Sequence, residues 1–289
     1  MATAAEWVEG ARLRTLPAAV APVLVGTGAA AQLGEASVVR GLLAAGVALA
    51  LQVGVNYAND YSDGIRGTDL DRVGPLRLTG SGAARPSQVR GAAFAAFGVG
   101  AALGLVLVAL SGHWWLLGVG VLAIAAAWYY TGGRSPYGYR GLGEVGVFVF
   151  FGLVAVLGTT YTQADRISWP AVAGAVGVGS LACALLMVNN IRDIPTDVLS
   201  GKRTLAVRLG DYRARRVYAG LLGVAVVAGL ACALAAPWSV LVLLVAVPAG
   251  ILAGTVLLGA RGVLLKPVLA GTGLLELGYG VLLGLGLSI

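Results

Sequence analysis

Polar residues in this chain fall into short runs, and between them apolar stretches of roughly 18 to 23 residues recur nine times. Each is long enough to cross a hydrocarbon core of about 30 Å as a helix. The pattern predicts nine transmembrane helices at approximately 15–33, 38–57, 91–111, 114–131, 144–163, 168–190, 215–235, 237–259 and 267–289, one integral membrane domain over residues 1–289. The expected fold is an all-α bundle. The polar start "MATAAEWVEGARLR" runs into the first stretch with no cleavage site after it, so that helix is expected to be retained.

Composition agrees: 58% of the 289 residues are hydrophobic and 11% charged, too few charges to cover a soluble surface. Many of the 45 glycines lie inside the apolar stretches, as in Gly100-x-x-x-Gly104, where small residues let membrane helices approach closely. Cys183 and Cys232 each fall within a predicted helix and form neither a disulfide framework nor a metal cluster.

The net charge of +7 would suit a nucleic acid, but the placement of the charges argues for a bilayer instead. Of 20 Lys and Arg, only Arg40 and Arg166 lie in odd-numbered connections, and the other 18 lie in the N-terminus and the even-numbered ones. By the positive-inside rule the N-terminus and the even loops are cytoplasmic, and nine spans leave the C-terminus outside a cell membrane. His113, beside Trp114 and Trp115 on the outer side, reads as an interfacial belt residue.

Two even-numbered connections, roughly 58–90 and 190–214, are long and carry acids as well as bases. The first opens with Asn56-x-x-x-Asp60 and the second with Asn189-x-x-x-Asp193-x-x-x-Asp197, an offset of 133 residues for both Asn and Asp. This spacing suggests internal duplication, helices one to four and five to eight plus a ninth. Residues i, i+4 and i+8 share a helix face, so Asn189, Asp193 and Asp197 form a row if their helix continues beyond the membrane boundary. Facing oxygen-rich clusters suit Mg²⁺, which keeps waters and joins one or two carboxylates to a substrate phosphate. Arg66, Arg72, Arg77, Arg192, Lys202 and Arg203 in the same loops suit phosphate oxygens.

Five stretches, "RLRTLPAAVAPVLVGTG", "VNYANDYSDGIRGTD", "RVGPLRLTGSG", "YYTGGRSPYGYRGLGE" and "NNIRDIPTDVLSGKRTLAVRLG", resemble the UbiA superfamily of intramembrane prenyltransferases over almost the whole chain. They look most like its actinobacterial members that prenylate 1,4-dihydroxy-2-naphthoate. The resemblance implies a nine-helix bundle in which two aspartate-rich motifs hold Mg²⁺ and the diphosphate of a polyprenyl donor. On this chain the first motif supplies Asn56, Asp60 and Asp63, and the second Asn189, Asp193 and Asp197.

The family places the last acid of the first motif four residues after the middle one. Here that position is Gly64, so Asp63 or Asp69 completes the metal set. The family's lysine after the tyrosine of the loop following helix four is also missing; Tyr130 is followed by Arg134 and Arg140, and Arg134 is assigned to diphosphate.

Breaking an allylic C–O bond leaves a cation that water would quench, so charge stabilisation and a dry interior are both required. An electron-rich ring then attacks and, as the resemblance implies, loses its carboxylate as CO₂ to give demethylmenaquinone. Arg12, with Arg14, is placed to meet the aromatic carboxylate or to set topology, and Tyr130 and Tyr139 to line the acceptor site or a membrane interface. Glu276 is an isolated acid in the last helix and is left outside the site. A transporter would carry its polar groups near the membrane centre, whereas these gather at one face. Hydroxybenzoate and homogentisate are the alternative acceptors.

Overall fold

The computed structural model describes residues 2–67 and 76–289, and among them there are helices and no strands. Asp69 and Arg72 lie outside the described residues. A short helix, α1 (Ala4–Gly10), precedes nine helices that correspond one to one with the nine apolar stretches. These are α2 (Pro17–Gln32), α3 (Val38–Ile65), α4 (Pro86–Ser111), α5 (Leu116–Tyr129), α6 (Gly143–Ala164), α7 (Trp169–Leu199), α8 (Leu205–Leu234), α9 (Pro237–Leu257) and α10 (Gly262–Ser288). Seven of these are long and apolar enough to cross a bilayer alone. α2 becomes an eighth when joined to the N-terminal segment, from which it bends by 46°, and α5 has 14 residues. The protein is a multi-pass membrane protein.

Local signals set the helix starts. Ser37, Ser168 and Thr204 stand just before α3, α7 and α8, and their hydroxyls accept the N–H of Arg40, Ala171 and Val207, which no helical carbonyl reaches. Gly112, with φ 78°, ends α4 in the left-handed region.

Helix length positions the site. α3 has 28 residues and rises about 42 Å, and α7 has 31 and rises about 46 Å, each well beyond the ~20 residues the hydrocarbon requires. The surplus turns hold Asn56 to Asp63 and Asn189 to Asp197. Both acidic motifs are therefore helical; hydropathy marks where apolar sequence stops, not where backbone hydrogen bonding does.

α7 is the central helix, with 72% of its most apolar window buried inside the protein, against 22–28% for α3, α4, α6, α8 and α9. It packs on α6, α8, α10 and α2, while α4 packs on α3. α6 widens to π-helical turns over Phe148–Leu157. α8 breaks at Gly210, whose φ of 74° and ψ of 160° a residue with a Cβ rarely adopts, so its first turns form a separate short helix.

Candidate active site

The surplus turns of α3 and α7, the segment before α2, the α5–α6 loop and the start of α10 enclose a cavity of about 430 Å³. Its walls change character along α7. Asn189, Asn190, Arg192, Asp193 and Asp197 line the polar end, and Ala182, Leu185 and Leu186 the other, where Phe151, Leu269 and Ala18 join them. Ala182 to Asp197 is a rise of about 22 Å. Among the described residues, three carboxylates line the cavity, Asp63, Asp193 and Asp197, together with six basic side chains, Arg12, Arg14, Arg77, Arg192, Lys202 and Lys266. The described wall is therefore net positive.

Asp63 is the meeting point of several elements. Tyr139 donates its hydroxyl to Oδ1, Lys202 Nζ stands 3.5 Å from the same oxygen, and an Arg77 guanidinium nitrogen is 3.8 Å from Oδ2. Lys202 also lies 4.6 Å from the centre of the Tyr139 ring. On α7, Arg192 folds onto the next residue, with Nε and Nη2 each donating to Asp193 at 2.7 Å while Nη2 also reaches Asn189 Oδ1 at 2.9 Å.

Several residues expected at the site sit just behind it. Asp60 is buried outside the cavity lining, and its two oxygens accept the backbone N–H of Thr79 and Leu78, both at 2.8 Å. Asn56 donates to the Ala11 carbonyl at 2.8 Å and to Thr15 Oγ1 at 2.9 Å. Arg66 donates to the carbonyls of Thr131 and Gly133, pinning the α5–α6 loop. Arg203 is exposed, and its N–H reaches the Tyr139 carbonyl at 2.9 Å. Arg134 is exposed and outside the lining. Arg12, Asp63, Tyr130, Tyr139, Asn189, Asp193, Asp197 and Lys202 all face the cavity.

The lining also contains residues that sequence reasoning did not select, among them Asn59, Gln52, Thr131, Asn190 and Lys266. Asn59, whose Oδ1 accepts the Thr131 hydroxyl at 2.7 Å, had a signal, because it lies between the two motif acids and their asparagine. Lys266 had none beyond its place in an even-numbered connection. Arg12 holds φ 55° and ψ 59°, a left-handed backbone unusual for a side chain of its size, at the point where the chain bends into α2. Glu276 is fully buried in α10, outside the cavity lining, and among the described residues neither of its oxygens has a hydrogen-bond partner.

Among the described residues, no three of His, Cys, Asp and Glu are grouped as a ready metal site. The donors present are carboxylate and amide oxygens, the set that hard, partly hydrated divalent cations take, with positions left for phosphate oxygens. The residues therefore fit Mg²⁺ arriving with an anionic ligand better than a bare ion.

A helical bundle whose amphiphilic cavity is walled by cations and carboxylates at one end and apolar side chains at the other defines an intramembrane enzyme acting on lipid-like anions. The model of the UbiA prenyltransferase family matches residues 19–265, and the chain belongs to that family. It is 58% identical over 274 residues to a 1,4-dihydroxy-2-naphthoate octaprenyltransferase of Mycobacterium tuberculosis, covering 95% of this chain and 94% of that one. Among solved structures, the apo UbiA homolog from Aeropyrum pernix has a TM-score of 0.70 at 18% identity, covering 93% of this chain and 96% of that one. A UbiA homolog from Archaeoglobus fulgidus bound to GPP and Mg2+ has a TM-score of 0.62 at 12% identity, over 96% and 99% of the two chains.

Proposed function

We propose that the chain transfers a polyprenyl group from its allylic diphosphate to 1,4-dihydroxy-2-naphthoate, releasing diphosphate and CO₂ and giving demethylmenaquinone for menaquinone synthesis. The observation that carries this is the net-positive polar end of the cavity joined to an apolar end, a shape for a diphosphate with a hydrocarbon tail. The extensive identity to a naphthoate octaprenyltransferase supports the acceptor.

In this reading Asp63, Asp193 and Asp197, with Asn59 and Asn189, hold Mg²⁺, Asp63 being the first-motif acid that lines the cavity among the described residues. When bound, the ion would draw negative charge from the departing diphosphate. Arg77 and Lys202 stabilise the same charge directly, and Tyr139, bridging Asp63 and Lys202, orients both. Tyr130 and Phe151 line the cavity and supply aromatic rings that can shield an allylic cation from water. Arg12, Arg14 and Lys266 offer cations to the naphthoate carboxylate. Asn56 and Asp60 position these groups, Asn56 by tethering the Arg12-bearing segment and Asp60 by tethering the Arg77-bearing loop.

Helices α2–α5 and α6–α9 are taken as the halves of a duplicated unit, with α10 added, in one domain embedded in the cell membrane. The site and the N-terminus face the cytoplasm and the C-terminus faces outside, in keeping with the charge asymmetry.

The test is an assay of the purified full chain in detergent with Mg²⁺, labelled polyprenyl diphosphate and each of three acceptors. Dihydroxynaphthoate is expected to give labelled product, at least about a hundredfold faster than hydroxybenzoate or homogentisate, with Asp193→Asn cutting that rate by roughly 10² or more. No naphthoate product, or equal turnover of hydroxybenzoate, would overturn the assignment.

A further inference from the structure

Among the described residues, Arg192 is the cavity cation that closes on an acid adjacent in sequence. Neighbouring residues on a helix do not face each other, so its side chain has to wrap around the helix to set Nε and Nη2 on the two oxygens of Asp193. The result is a fork-to-fork pair with both side chains largely shielded from water, at 7% and 9% exposure. Such bidentate, charge-assisted contacts are among the stronger polar contacts a protein makes. This one spends both Asp193 oxygens, and part of Asn189, on a cation that belongs to the protein.

From this geometry we propose that Arg192 is a resident counter-cation that competes with the divalent ion for Asp193 and moves to the diphosphate when substrate arrives. The proposal rests on the magnesium–diphosphate reading above and adds an order of events to it. A metal ion bonded to Asp193 needs at least one oxygen that Arg192 holds, and it brings positive charge against a guanidinium a few ångströms away. The bare ion therefore binds at a penalty. A diphosphate removes the penalty by giving Arg192 another anion whose oxygens match the guanidinium fork as well as a carboxylate does.

Metal and diphosphate then bind with positive coupling, and by linkage each raises the affinity of the other by one factor. The arrangement also keeps the acidic row neutralised between turnovers, when no anion is present to hold an ion there. Asp63 carries its own cations, Lys202 and Arg77, at 3.5 and 3.8 Å, and its Oδ1 also accepts the Tyr139 hydroxyl.

Mn²⁺ binding to the purified full chain, read by equilibrium dialysis as the excess of the ion on the protein side with and without inorganic pyrophosphate, tests the exchange without turnover. Wild type is expected to bind Mn²⁺ weakly alone and, on the order of tenfold or more, tighter with pyrophosphate. Arg192→Gln is expected to bind Mn²⁺ alone more tightly than wild type and to lose most of the pyrophosphate enhancement. Arg192→Lys, which keeps the charge without the fork, is expected to fall between, and adding Asp193→Asn to Arg192→Gln to abolish the gain. Because misfolding removes binding rather than improving it, a gain cannot arise from a damaged protein. Unchanged Mn²⁺ affinity and enhancement in both Arg192 variants would overturn the exchange while leaving the diphosphate reading standing. Wild type that binds no Mn²⁺ even with pyrophosphate would overturn both.

Discussion

Asp60 and Asp63 lie three residues apart on α3 and do different work. The Asp60 carboxylate is a clamp whose two oxygens take two consecutive backbone N–H groups and fix the 77–79 loop. Asp63, one turn on, faces the cavity and the loop's Arg77. Asp60→Asn keeps one acceptor but turns an amide N–H₂ toward a backbone N–H, leaving a buried donor unpaired at a cost of about 1–3 kcal/mol. It is expected to lower the thermal midpoint of the purified protein by several degrees and to lose activity with it, because the loop no longer presents Arg77. Asp63→Asn keeps an oxygen for the Tyr139 hydroxyl and is expected to lose activity with a smaller midpoint shift. Equal midpoints for the two variants would show that Asp60 is not a clamp. Sequence alone placed both acids in one motif, and the spacing that identifies the motif cannot tell a carboxylate facing substrate from one facing its own loop. That distinction depends on residues 18 and 19 positions downstream, which no local pattern connects to Asp60.

At the level of elements, each apolar stretch coincides with a helix among the described residues, but several ends were placed one to three turns short. α3 continues to Ile65, α7 to Leu199, and α8 begins at Leu205. The missed turns of α3 and α7 are the polar ones that line the site. What the pattern could not supply was which helices touch. α2 and α10 pack so closely that a Cβ at Gly28 would stand 2.7 Å from the Gly284 Cα, and one at Gly280 would stand 2.7 Å from the Ala21 Cα. This seam joins the segment bearing Arg12 and Arg14 to the helix bearing Lys266, so it sets the spacing of three cavity cations. Gly28→Ala must push the two backbones apart, costing roughly 1–3 kcal/mol by overpacking. The expected result is a lower thermal midpoint and a raised KM for the aromatic acid with the KM for prenyl diphosphate little changed. Gly34→Ala is a poor control because Gly34 has φ 81°; Gly118→Ala, at a glycine with open space around it, is expected to change neither.

Over the whole molecule, polar chemistry is gathered at one end of the bundle, and the opposite end accounts for the two basic residues that break the charge asymmetry. Arg40 donates to the Leu110 carbonyl at 2.7 Å and the Thr162 carbonyl at 3.1 Å, and Arg166 to the Leu33 carbonyl at 3.0 Å. These carbonyls lie at or near helix C-terminal ends, where no N–H of the next turn is available, so both arginines serve as caps. His113 pairs with Asp165 at 3.1 Å at the same end, its ring 4.5 Å from that of Tyr161, well removed from the cavity acids. With these exceptions explained locally, the remaining asymmetry is the basis of the proposed orientation, which can be measured. Cys183 and Cys232 are buried, at 4% and 0% exposure, so a membrane-impermeant maleimide should not reach either in the folded protein. Ala36 and Ser200 are exposed in connections at opposite ends. In right-side-out spheroplasts Ala36→Cys is expected to label at once and Ser200→Cys only after permeabilisation, because a cytoplasmic cavity mouth puts the end of α7 inside. The reverse pattern would place the acidic motifs on the outer face and remove the charge-asymmetry argument for a site supplied with substrate from the cytoplasm.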